Sequence, residues 1–192
     1  LFRKLDQGLC ILELPREWLA AGRLWPVEHN VYSYLPGYAE SAFAYLGWMR
    51  GLGGDNRPHG PDSAWLVSCQ TLHVLFALTA AWLVGRAAAA LVRRGTHGTV
   101  TDRLGTTTLA PMLAAGLTLA TPWCVVVGSL AYNEMPMIAL FAGAMIAALD
   151  PTLAPARRGA IAGWLVGVAC GVKPTALLFA GNTPWMSDGF EA

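Results

Sequence analysis

The chain has 192 residues, 55% of them hydrophobic and 13% charged, with a formal net charge of +1. Charge at about half the ~25% of a soluble domain, with a mean hydropathy of +0.44, excludes an ordinary polar domain and places the chain in the membrane class. No basic block and no acidic tail occurs, so no nucleic-acid partner is expected.

The opening "LFRKLDQGLC" lacks an initiator Met and a charged-then-apolar leader, so no signal peptide is read there. The chain is expected to be a piece of a longer polytopic protein, with 182–192 a truncated tail, and to be inactive on its own. Residues 1–63 are read as a region of short interfacial helices. In "LPREWLAAGR", Pro15 suits a first helical position and Gly22 an end, while Leu14, Trp18 and Leu19 supply an apolar side. "PGYAESAFAYLGWMRG" reads as a helix of about 14 residues, below spanning length. Its Tyr38, Phe43, Tyr45 and Trp48 suit the headgroup zone, so both helices are expected to lie along a membrane surface. "GLGGDNRPHGPDS" reads as a solvated connector. Its Asp55, His59 and Asp62 form only a weak metal constellation, so no metal site is assigned.

A membrane-crossing helix needs about 20 mostly apolar residues. Residues 64–181 supply about four such runs: 64–85, 105–128, 135–149 and 159–180. The second and third are parted by "AYNEMP", with an earlier weakening at Thr121-Pro122, because a residue before proline is pushed away from helix. The fold class expected is therefore an all-α polytopic membrane helix bundle with an N-terminal extracytoplasmic loop region. Arg86, Arg93, Arg94 and Arg103 lie between the first two runs, and Arg157 and Arg158 between the last two. The positive-inside rule makes both connections cytoplasmic, and so puts 1–63 and "YNEMP" outside.

Of the four cysteines, Cys69, Cys124 and Cys170 lie in apolar runs and Cys10 stands apart. With no CxxC or Cys/His spacing, neither a disulfide framework nor zinc is indicated. Gln70 and His73, three apart, are expected to share a helix face and make interhelical hydrogen bonds. Gly159, Gly163, Gly167 and Gly171 recur at every fourth position, a pattern that lets helices approach closely.

Ionisable residues inside a membrane usually face a bundle interior or a watery cavity. Lys173 falls in the outer half of the last run, and Pro174 cannot donate to the carbonyl of Cys170, so the helix should open there. The lysine either meets an anion from the outer leaflet or serves structurally, paired with a carboxylate or snorkelling outward. Glu134, in the turn between the second and third runs, shares its membrane level; the plain alternative is a solvated loop carboxylate. Asp6, Glu13, Arg16, Glu17, Glu28, His29 and Asn30 supply further carboxylates and donors, and spacing does not choose among them. No Walker loop, dinucleotide fingerprint or nucleophile elbow is present.

The stretch "LPREWLAAGRLWPVEHNVYSYLPGYAESAFAYLGWM", a span ending in "VGR", then "LATPWCVVVGSLAYNEMPMIALFAGAMIAAL" and "GWLVGVACGVKPTALL" together resemble the N-terminal portion of GT-C glycosyltransferases. The likeness is to bacterial members of the protein O-mannosyltransferase and aminoarabinose transferase branch, over about residues 12 to 180. It implies transfer of a sugar from a polyprenyl-phosphate donor to an extracytoplasmic acceptor at the bacterial inner membrane. It further implies Asp6 and Glu134 as the catalytic acids of two outer loops and Lys173 as a phosphate contact. Arg16, His29 and Asn30 are the remaining substrate-binding candidates. The partners implied are the lipid-linked donor and membrane lipids; no cofactor is expected, and metal dependence, sugar and acceptor stay open. The competing expectation is a transporter or non-enzymatic scaffold in which Lys173 and Glu134 form a charge pair or ion relay.

Overall fold

The computed structural model describes residues 10–53, 63–95, 100–129 and 133–180. Asp6, and the Asp55, His59 and Asp62 group, lie outside these. Among the described residues the architecture is all-α, without strands.

Helix α1 runs Cys10–Ala21. The helix starts earlier than Pro15 suggests, and that proline lies inside it, where it forgoes only the bond to the carbonyl of Ile11. Helix α2 runs Tyr38–Met49. Both close on a glycine in the left-handed region, Gly22 (φ +66°) and Gly51 (φ +75°). At each, the glycine N–H and the one after it turn back on the last helical turn, Arg23 to the Trp18 carbonyl at 3.2 Å and Leu52 to that of Gly47 at 3.0 Å. The segment between the helices folds on Ser33, whose hydroxyl accepts from the Val27 N–H at 2.7 Å and lies 2.6 Å from the Asn30 carbonyl.

Helix α3, Ser63–Gly95, is the long central element, and over Ser63–Arg94 it is long and apolar enough to cross a membrane. It continues through the expected loop: alanines at 87–90 have the highest helix propensity, so Arg86, Arg93 and Arg94 ride on helix. Helix α4 (Val100–Ala120) and α5 (Pro122–Ser129) follow, broken at Thr121 as the Thr-Pro step dictates. Helix α6 is Glu134–Leu149, α7 is Pro155–Val172 and α8 is Ala176–Ala180. At about 1.5 Å per residue, the 16 residues of α6 reach about 24 Å. Helices α4 and α6 flank α3, and α7 packs on α6. Gly85 permits the α3–α4 approach: a Cβ there would come within 2.7 Å of the Pro111 carbonyl oxygen.

The α1–α2 pair packs on the start of α3. Leu12, Leu19 and Phe43 are buried in one cluster with Trp65 and Cys69 of α3, and the Trp65 indole N–H donates to the Phe43 carbonyl at 2.9 Å. Phe43, expected in a headgroup zone, is thus core, while Tyr38 and Tyr45 stay exposed. Each large side chain taken from water in this cluster contributes about 1.5–3 kcal/mol. The pair thereby covers the end of the bundle where α3 and α6 begin and α7 ends. At the opposite end an Arg94 guanidinium nitrogen donates to the Leu149 carbonyl at 3.0 Å.

Two packing expectations change. His73 is fully buried but Gln70 is exposed, because residues three apart are rotated by some 60° and these straddle the edge of the packed face. Along α7, a Cβ added at Gly159, Gly163 or Gly167 meets nothing within 4 Å, and only Gly171 is covered, by the Tyr38 ring.

Candidate functional site

Lys173 ends α7. Its N–H still bonds the Ala169 carbonyl at 2.9 Å, but its φ of −151° and ψ of 117° are extended. Proline at the next position lacks an N–H for the Cys170 carbonyl, so the helix cannot continue in register. The chain restarts with the Ala176 N–H on the Lys173 carbonyl at 2.9 Å. The lysine side chain therefore springs from a backbone break rather than from a helix side.

Glu134 is the first residue of α6, not part of a free turn. Lys173 Nζ donates to Glu134 Oε1, forming a direct ion pair between side chains 35% and 17% exposed. The geometry favours both charges: the carboxylate lies at a helix N-terminus and the ammonium at a helix C-terminus. Glu134 Oε2 is buried and has no hydrogen-bond partner among the described residues. Burial of this kind makes the pair costly to break from one side, since the survivor is left uncompensated.

Two further residues adjoin the pair. Asn133, the N-cap of α6, donates from Nδ2 to Glu40 Oε1. Glu40 stands in the first turn of α2, and burial pushes its carboxyl above the ordinary 4.5, against the lowering effect of the Asn133 hydrogen bond. Glu40 Oε2 and Asn133 Oδ1 are also buried without a partner among the described residues. Tyr38, one turn-edge earlier, lays its ring on Gly171 two residues before Lys173. The result is a half-buried polar patch in which α2, α6 and α7 converge.

The other candidate binders do not join this patch through their described contacts. His29 Nε2 meets Glu17 Oε1 at 2.8 Å, and the Arg16 guanidinium lies over the Trp65 ring, 5.8 Å from its centroid. Asn30 is tied into the turn, its N–H on the Val27 carbonyl at 2.9 Å. No group of three or more His, Cys, Asp or Glu able to hold a metal occurs among the described residues. Cys69, Cys124 and Cys170 are free thiols.

Sequence reasoning missed Glu40 and the role of Asn133. The available signal was that Glu40 is the lone charge in the apolar run "YAESAFAYLGWM". No protein-family model, curated protein or solved structure matches this chain.

Proposed function

We propose that the chain is a multi-span membrane protein of the GT-C type, moving a sugar from a polyprenyl-phosphate donor to an extracytoplasmic acceptor. On this reading α3, α4–α5, α6 and α7–α8 are the four spans, in the bacterial inner membrane. The arginine-bearing end faces the cytoplasm, and α1–α2 lie outside. The apolar part of α4, Thr108–Ala120, and the 18-residue α7 gain spanning length from the segments beyond their breaks, which is how interrupted helices cross a bilayer.

The observation that carries the proposal is Lys173, presented by a backbone break and held against Glu134 beneath a cover of two helices. An inverting transfer needs a carboxylate to take the acceptor's proton and a cation for the departing phosphate. A lysine serves as a point-charge phosphate binder. In the unliganded site the two neutralise each other, so an arriving phosphate competes with Glu134 for Nζ and frees the carboxylate for the acceptor. Asp6 remains the second acid of the proposal.

The same direct pairing favours a second reading, a transporter or scaffold in which the pair is a structural or ion-relay element. Reconstituted full-length protein, given a labelled polyprenyl-phosphate sugar, decides between them. The expected result is sugar transfer by the wild type and a loss of about 10²-fold or more in Lys173→Ala and Glu134→Gln. Full activity in both variants overturns the site. A wild type that transfers nothing but moves a solute into liposomes establishes the transporter.

A further inference from the structure

Asn133 occupies a position where asparagine ordinarily stabilises a helix start by accepting an N–H of the second or third helical residue. It makes no such cap. The third helical residue is Pro136, which has no N–H to offer. The first turn of α6 is instead held from outside, through Asn133 Nδ2 on Glu40 Oε1, while the backbone bond from Met137 to the Asn133 carbonyl is long at 3.4 Å. Glu40 is the only charge on α2 and sits half-buried at its start. The next residue along from this externally held cap is Glu134, and its carboxylate meets Lys173.

We infer that Glu40 is a positioning residue for the Glu134–Lys173 pair: by gripping Asn133 it fixes where α6 begins and so aims Glu134 at Nζ. The contact is made from α2, an element outside the α3–α7 bundle, so it links the covering helices to the pair. Whatever moves α2, including an acceptor entering beneath it, then changes how firmly Lys173 is held. Its effect on sugar transfer rests on the function proposed above, whereas its effect on Lys173 does not.

The test reads Lys173 directly. Full-length protein in lipid nanodiscs is acetylated with acetic anhydride, and the rate at Lys173 is followed by mass spectrometry at a temperature where every variant is folded. A lysine in an ion pair reacts slowly, and Glu134→Gln gives the fast limit. Glu40→Ala and Asn133→Ala are expected to speed acetylation about fivefold or more. Glu40→Gln restores the slow rate, because its amide oxygen still accepts from Asn133. A purely structural contact would lower stability without this rescue pattern in the folded protein. Wild-type reactivity in both Glu40→Ala and Asn133→Ala, or Glu40→Gln as reactive as Glu40→Ala, overturns the inference. Should Glu40→Ala not fold, Asn133→Ala and Glu40→Gln carry the same comparison. Transfer is then measured on the same samples. If the wild type transfers no sugar while Lys173 responds as expected, the positioning role stands and the glycosyltransferase reading falls.

Discussion

The two ends of the helix bundle handle charge differently. At the arginine end, Arg93, Arg94 and Arg157 are exposed, and Asp150 is satisfied locally by Thr152, whose N–H and hydroxyl lie 2.9 and 2.7 Å from Oδ1. At the other end every charge in the patch is committed to a partner on a different helix: Glu134 to Lys173, and Glu40 to Asn133. Exposed charges cost little to hold and contribute little. Half-buried ones are tolerated only with partners, so the covered end is where a substituent change has large consequences.

The cover itself should show the largest effect. Phe43→Ala removes a fully buried ring from the α1–α2–α3 junction and is expected to cost about 3–5 kcal/mol, read as a lowered unfolding midpoint and lost hydrogen-exchange protection in α1 and α2. Leu91→Ala, at an exposed leucine near the arginine end, should stay within about 0.5 kcal/mol. Equal effects would erase the distinction between the ends.

Next in size is the ion pair. Lys173→Met or Glu134→Leu alone leaves one half-buried charge without its partner and should destabilise by about 1–3 kcal/mol. The double variant is expected to be closer to wild type than either single, because two apolar groups replace two compensated charges. A double-mutant cycle measures this; additive losses would mean that the pair is solvated and unlike a buried one.

The same contrast explains what was legible in the sequence. Breaks at Thr121-Pro122 and at Lys173-Pro174, and the end at Gly22, follow from local backbone chemistry that any neighbour leaves unchanged. The level shared by Glu134 and Lys173 followed from counting residues along antiparallel runs. What stayed hidden depends on tertiary contact. Phe43 looks interfacial by type and is core because α1 and α3 happen to meet there. Glu40 and Asn133 are 93 residues apart, and no spacing rule joins them. Pro15 marks a permitted helix start, and permission does not make it the start used.

The finest test uses protons, since the two ends shift their carboxyls in opposite directions. Burial raises Glu40 above its ordinary 4.5, whereas the Thr152 hydrogen bonds lower Asp150 below 3.8. For Glu40 the folded state holds its proton to higher pH than the unfolded one does. The stabilisation from protonation is therefore complete below 4.5 and is lost as pH rises through the raised folded value. For Asp150 the sign reverses: its stabilisation is present above 3.8 and is lost as pH falls through the depressed folded value. Acidifying from neutral through the raised Glu40 value toward 4.5 should thus raise the protection factors, which are relative to the intrinsic exchange rate at each pH, at the start of α2 and α6 while leaving those of the Asp150–Thr152 turn unchanged. Glu40→Gln should abolish the gain, because an amide cannot titrate, and Asp150→Asn should leave it intact. A gain that survives Glu40→Gln would assign the titration to another group. Protection factors at the two ends moving together with pH would mean that the covered end is as open to water as the arginine end, and the contrast between half-buried and exposed charge would be gone.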